Sequence, residues 1–288
     1  MMERPSYILF ITDQQRYDHL GCNGHPVLRT PNIDAIADRG VNYDRFYVAS
    51  PVCMPNRASL MTCRMPSSHG VRSLGIPLSH DNVTFVELMR AAGYDTALIG
   101  KSHLQNVTDW PDKLDPQVRR DGFDAPPDDL ALAVRSDLDN ETYQYEREAF
   151  YSNDAARVPL PFYGFDDYVA VTRHGFNTGG DHARHVKATA PDAFELRSRD
   201  KQLQHDYSCP QAIRTKVPEE HYSTSYIADR TCEFLETRRG NPKPFFLMVS
   251  FPDPHHPFTP PGRYWDMYRP EDMPVPVAYA TPDWDAPD

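Results

Sequence analysis

The sequence lacks a basic cluster, a long apolar run and a regular cysteine pattern, and each absence removes a class of function. No apolar stretch approaches the ~18 residues that a helix needs to cross a bilayer, so no membrane partner is expected. The N-terminus, Met1-Met2-Glu3-Arg4-Pro5-Ser6, enters a strand-like run without a secretory apolar region or a small-residue cleavage site. A cytoplasmic location is therefore the expectation. Lysine and arginine form no run, and 41 acidic against 30 basic residues give a formal net charge of −11. That balance excludes the basic face of a nucleic-acid binder. It leaves a small anionic substrate open, because a metal and a few local cations can invert the potential inside a site. The cysteines (Cys22, Cys53, Cys63, Cys209 and Cys232) are odd in number and widely spaced, with no CxxC pair. A disulfide framework or a structural zinc site is thereby disfavoured.

What is present is enough for a packed core. At 288 residues and 40% hydrophobic content, the chain can form one large α/β domain or two ordinary ones. Its 28 prolines gather after residue 110 and again after residue 250, which predicts irregular, loop-rich stretches there. Tyr7-Ile8-Leu9-Phe10-Ile11 reads as a buried strand. Thr30 to Gly40 carries a helix in its punctuation, with Thr30 as N-cap, Pro31 in the first helical position and Gly40 at the end. Val41 to Tyr47 alternates enough for a second strand. Thr84-Phe85-Val86-Glu87 is a capping box opening a helix that closes at Gly93. Tyr94 to Gly100 is a third strand. From about 105 to 215 the periodicity fades, as in Asp121-Gly122-Phe123-Asp124-Ala125-Pro126-Pro127, and the stretch reads as an insertion with little regular structure. Tyr222, Tyr226, Ile227, Phe234 and Leu235 form a helical stripe ending at Gly240. Phe245 to Phe251 is a buried strand. Alternating strands and helices predict an α/β fold with a parallel sheet.

Chemistry collects at strand ends. Thr12-Asp13-Gln14-Gln15-Arg16 follows the first strand, Gly100-Lys101-Ser102-His103 the third, and Asp253-Pro254-His255-His256-Pro257 the last. In open α/β sheets ligands bind at the carboxyl ends of strands, so these segments are expected to converge. Asp13 and Gln14 offer adjacent hard oxygen donors suited to calcium, magnesium or manganese. A lone Asp there is more often a turn or cap residue. Lys101 and His103, two apart, leave an extended segment on the same side and could neutralise an oxyanion and shuttle a proton. Taken singly, that pair and the His255-His256 pair are more often inert. Cys53, between Val52 and Met54, would by itself be a buried small hydrophobe.

Cys53-Met54-Pro55-Asn56-Arg57, followed by Thr62-Cys63-Arg64, resembles the Cys-x-Pro-x-Arg and Thr-Gly-Arg signature of the type I sulfatases. Those enzymes and the related phosphonate monoester and phosphodiester hydrolases belong to the alkaline-phosphatase-like superfamily. Gly93-Tyr94-Asp95-Thr96 with Gly100-Lys101-Ser102-His103, Thr30-Pro31-Asn32-Ile33-Asp34 and Pro254-His255-His256-Pro257 match further family motifs in the family's order. The matches cover about residues 5–104 and 220–270. The resemblance implies an alkaline-phosphatase-like, mostly parallel sheet flanked by helices. It implies that Cys53 is oxidised by a maturation enzyme to formylglycine, with Pro55 and Arg57 in the recognised motif. One hydroxyl of the aldehyde hydrate then attacks sulfur or phosphorus and expels the alcohol. Loss of a proton from the second hydroxyl ejects the sulfate or phosphate and regenerates the aldehyde. Asp13, Gln14 and the residue derived from Cys53 match metal ligands, calcium being usual and manganese or zinc the choices of some relatives. Arg57 would position the hydrate, Lys101 would counter substrate charge, His103 would serve the elimination, and His255 would assist the leaving group. The expected activity is hydrolysis of small anionic sulfuric esters. The alternatives are phosphonate or phosphodiester hydrolysis by the same machinery, or an inactive sulfatase-like fragment. A homo-oligomer is compatible with all three.

Four departures from the family pattern stand out. Gln14 replaces the commoner second aspartate, a choice shared with phosphonate hydrolases and choline sulfatases. Asn56 replaces Ser or Ala. Cys63 replaces a glycine, which costs on the order of 1 kcal/mol if the position needs positive φ. The family's later Asp-His/Asn-Gly segment and a further lysine have no good match, since Asp181-His182 lies inside the presumed insertion. The sequence therefore reads as truncated relative to the family. Its expected divisions are 1–104 and 216–260 for the catalytic core, 105–215 for the insertion, and 261–288 for a polar, proline-rich tail ending in Asp283-Trp284-Asp285-Ala286-Pro287-Asp288.

Overall fold

Continuous apolar runs bury both of their faces only inside a layered structure, and that is where the chain puts Asp95–Gly100 and Phe245–Phe251. The computed structural model describes residues 4–107, 138 and 140–275. The segment around Asp121–Pro127 and the tail from Asp283 onward lie outside the described residues. The strands β1 (Tyr7–Thr12), β2 (Asp95–Gly100), β3 (Asp167–Ala170) and β4 (Phe245–Phe251) form one parallel sheet in the order β1-β4-β2-β3. The two central strands, β2 and β4, are the most buried.

Helices cover the two faces. On one side α2 (Cys53–Thr62) lays Met54, Ala58 and Met61 against Leu98, Phe246 and Met248. On the other side α8 (Ser223–Thr237) lays Ile227 and Phe234 against Ala97, Ile99, Leu247 and Val249. The alternation of β2 and β4 between those two clusters is the period-two rule of a pleated strand. Each fully buried aliphatic side chain in them contributes roughly 1.5–3 kcal/mol.

The remaining helices are shorter: α1 (Pro31–Arg39), α3 (Pro66–His69), α4 (Phe85–Ala91), α5 (Glu148–Tyr151), α6 (Gly180–Thr189) and α7 (Pro191–Glu195). The capping box opening α4 is complete. Thr84 accepts from the Glu87 amide, and the Glu87 side chain accepts from the Thr84 amide at 2.7 Å. α1 has the expected bounds, but Thr30 does not cap it. Its hydroxyl instead accepts from the Gly21 amide and donates to Asp34, both at 2.8 Å.

Further expectations are corrected. Tyr7–Ile11 is a strand but not a buried one, because β1 is an edge strand of the sheet and leaves Tyr7, Ile8 and Phe10 exposed. Val41–Tyr47 is not a strand. Its side chains are exposed, Tyr47 at 84%, and no described strand pairs with it; alternation without a partner leaves backbone groups to water. The stretch 105–215 is not merely irregular, since it supplies β3 and the helices α5 to α7.

Cys63 ends α2 at φ 54°, ψ 31°, the left-handed conformation that glycine adopts without strain. Cys63→Gly is expected to stabilise the fold by up to about 1 kcal/mol, the relief of strain being partly offset by the freer unfolded chain. Denaturant midpoints of the two proteins at equal m-value would check it, and a lower midpoint for the glycine variant would contradict it.

Candidate active site

The carboxyl ends of all four strands and the start of α2 meet at one place. At the end of β1 the Asp13 amide donates to Phe251 O (3.1 Å) and Asp253 O (3.2 Å), which ties it to the end of β4. Gln14 follows with φ 58°. At the end of β2, Gly100 lies so close to β4 that a Cβ there would sit 1.9 Å from Ser250 O, and the Lys101 amide then donates to that same oxygen at 2.9 Å. Only glycine allows this approach, which brings Lys101 under the site.

Cys53 is the first residue of α2, after the extended Val52. Pro55 fits this first turn because amides there have no partner inside the helix. Arg57, four residues on from Cys53, shares its helix face. The Arg57 guanidinium is buried and donates to Lys101 O at 2.7 Å and to Ser250 Oγ at 2.9 Å. It is 3.6 Å from Asp13 Oδ2, which also receives a hydrogen bond from Lys101 Nζ and lies 3.5 Å from His174 Nε2.

Charge in this cluster is strongly biased. Burial pushes the Asp13 carboxyl up, but the His174 hydrogen bond and the charges of Lys101 and Arg57 outweigh it and hold the group far below the usual carboxylate range. Burial, helped by Lys101 and Arg57, pushes His103 well below the ordinary histidine value. Burial thus disfavours the charged imidazolium of His103. Its Nδ1 is buried without a hydrogen-bond partner among the described residues, an orphaned group that a bound oxygen would satisfy. Burial likewise lowers His174 to about 4.

His255 stacks on His174 with ring centroids 3.7 Å apart and planes 9° apart, and His256 Nδ1 lies 3.1 Å from Gln14 Oε1. The sequence-named residues Asp13, Arg57, Lys101, His103 and His255 therefore come together, with Gln14 joined through His256 and Cys53 at the helix start. His174 and Ser250 belong to the site but were not among the residues named from the sequence, and His256, weighed there only as half of the His255-His256 pair, joins them through Gln14. His174 follows β3 as Lys101 follows β2, so the strand-end rule reaches it once that strand is recognised. The Asp181-His182 pair has other duties. Asp181 accepts from the Ala170 amide at 2.9 Å, and His182 lies between Thr178 Oγ1 and His221 O.

Asp13 and Gln14 supply one charged and one neutral hard oxygen, which suit a divalent cation. No group of three or more His, Cys, Asp or Glu side chains among the described residues is arranged to hold one. The described donors fit part of a cation's shell and not the whole.

The sulfatase family model matches residues 5–280. This chain belongs to the sulfatase family. An arylsulfatase of Clostridium perfringens is 29% identical to it over 278 residues, covering 95% of this chain and 48% of that protein. The multifunctional alkaline phosphatase superfamily protein PehA of Trinickia caryophylli is 27% identical over 295 residues, covering 99% of this chain and 48% of its own length. The crystal structure of the phosphonate monoester hydrolase of Agrobacterium radiobacter is similar with a TM-score of 0.64 at 25% identity, covering 94% of this chain and 45% of that one. The chain thus spans about half the length of the curated relatives it matches. The parallel sheet with helices on both faces is the alkaline-phosphatase-like architecture of this chain's structural neighbours.

Proposed function

We propose that this sulfatase-family chain carries the nucleophile part of a metal-dependent hydrolase of sulfuric esters, with Cys53 converted to formylglycine. The observation that supports the reading best is the convergence of Arg57 and Lys101 on Asp13, beside the helix start that presents Cys53. Two cations around one carboxylate leave local positive charge for an oxyanion in a chain whose net charge is −11. The helix N-terminus adds amides and a favourable dipole for the same charge.

Bound in this site, formylglycine would supply a hydroxyl nucleophile through its hydrate, and calcium would supply a Lewis acid held in part by Asp13 and Gln14. The chain's own residues do the rest. Arg57, locked by Lys101 O and Ser250 Oγ, would position the hydrate at residue 53, four residues back on the same helix face. Lys101 opposes the ester's negative charge. His103 would serve the elimination, and His255, braced on His174, would assist the leaving alcohol.

The test is turnover of 4-nitrophenyl sulfate against a 4-nitrophenyl phosphonate monoester, by the whole protein made together with a maturation enzyme. The sulfate is expected to have a kcat/KM at least about tenfold higher, equivalent to about 1.4 kcal/mol of transition-state preference. A preference for the phosphonate would move the chain's substrate to the other branch of the superfamily.

A further inference from the structure

The loop from Lys101 to Val107 is buried throughout, although loops normally run over the surface because their amides need water. Its amides must therefore find partners inside the protein. Lys101 uses Ser250 O, as described. The amides of His103 and Gln105 are both taken by a single side chain, Glu146. Its Oε1 accepts from His103 N at 2.8 Å and its Oε2 from Gln105 N at 2.7 Å. Glu146 is 1% exposed and comes from outside the segments that carry the family motifs.

Two further observations show that this grip is built rather than incidental. Tyr168 of β3 donates its hydroxyl to Glu146 Oε1 at 3.2 Å, so the carboxylate is held from behind. The Gln105 side chain returns the contact, donating to Thr142 O and accepting from the Tyr145 amide, both at 2.9 Å. Between the gripped amides the chain is bent, with His103 at φ 56°. A non-glycine residue stays in that region only where its surroundings over-determine it. An anion across backbone amides in such a turn is a means of doing so.

We propose that Glu146 is a positioning residue, which fixes Lys101 and His103 against Asp13 through the backbone and touches neither substrate nor metal. The inference rests on the hydrolase reading above for its catalytic consequence, but not for the grip itself. Burying a carboxylate is costly even when it is satisfied, and an apolar side chain would fill the space at lower cost. What the apolar side chain could not do is hold two amides in a set direction.

The test is Glu146→Gln in the whole protein, read by amide hydrogen exchange and by steady-state kinetics with 4-nitrophenyl sulfate. Glutamine keeps the shape but turns an N–H donor toward one of the two amides. Exchange at His103 and Gln105 should quicken about ten- to a hundredfold, with the amides of β2 and β4 within about threefold of wild type. The kcat should fall by about a hundredfold with KM nearly unchanged, the signature of misplaced catalytic groups. Unchanged exchange at both amides would overturn the grip. Equal acceleration throughout the sheet would make Glu146 a purely structural residue, and faster local exchange with unchanged kcat would remove its positioning role. Should Glu146→Gln fail to fold, Tyr168→Phe removes only the hydroxyl behind the carboxylate. Its kcat should fall about three- to tenfold, and an unaltered kcat would overturn the inference. If the wild type itself leaves the sulfate intact, the hydrolase reading fails, and the exchange measurement alone decides the grip.

Discussion

Cys53→Ala is expected to lower kcat for an aryl sulfate by at least about 10⁴-fold, with little change in KM or in unfolding free energy. The asymmetry follows from the position of the residue. Cys53 is only partly buried and begins α2, whose core contacts are made by Met54, Ala58 and Met61. Removing the sulfur therefore deletes little packing, while every step of the proposed reaction passes through that side chain. Cys53→Ser should be comparably impaired when made beside a maturation enzyme that oxidises cysteine. Mass spectrometry of the tryptic peptide holding position 53 supplies the covalent half of the test. In wild-type protein the peptide should be lighter by about 18 Da, the difference between CH₂SH and CHO. Full activity in both variants would end every mechanism based on Cys53, whatever the sulfatase family membership implies.

Much of this arrangement can be read from the sequence because its determinants are local. A strand buried on both faces declares itself as an unbroken apolar run, as Phe245–Phe251 does, and polar residues immediately beyond such a run mark a site by their place alone. The spacing of Cys53 and Arg57 puts both on one helix face without reference to the rest of the molecule. What escapes is whatever depends on partners far along the chain. Asp167–Ala170 is only four residues long and becomes a strand by pairing with Ala97–Gly100. With that strand overlooked, His174 beyond its end is overlooked as well. The converse error is Val41–Tyr47, whose alternation finds no partner among the described strands. Glu146 is the hardest case. Within Tyr145-Glu146-Arg147-Glu148 it reads as a solvated charge, and its burial is set by amides about 40 residues away.

The buried pair of Lys101 and Asp13 separates stability from activity. Lys101→Met keeps the volume of the side chain but leaves Asp13 with Arg57 at 3.6 Å and a neutral His174 as its compensation. Losing one partner of a buried pair costs about 3–5 kcal/mol, because the remaining charge stays desolvated. That is a large share of the ~5–15 kcal/mol that holds a typical domain together, so a clearly lower denaturant midpoint is expected. Aryl sulfate turnover should fall by about 10³-fold or more, since the cation facing the ester's charge is gone. Adding Asp13→Leu should recover most of the lost stability, as a buried ion pair replaced by apolar side chains is often no less stable than the original. It should recover none of the activity, because the carboxylate oxygen offered to the cation has also been removed. In a double-mutant cycle this appears as strong coupling in unfolding free energy and near-complete inactivity in all three variants. A double variant no more stable than Lys101→Met would mean that Asp13 is held chiefly by Arg57. A Lys101→Met protein with wild-type turnover would show that the substrate's charge is met elsewhere in the site.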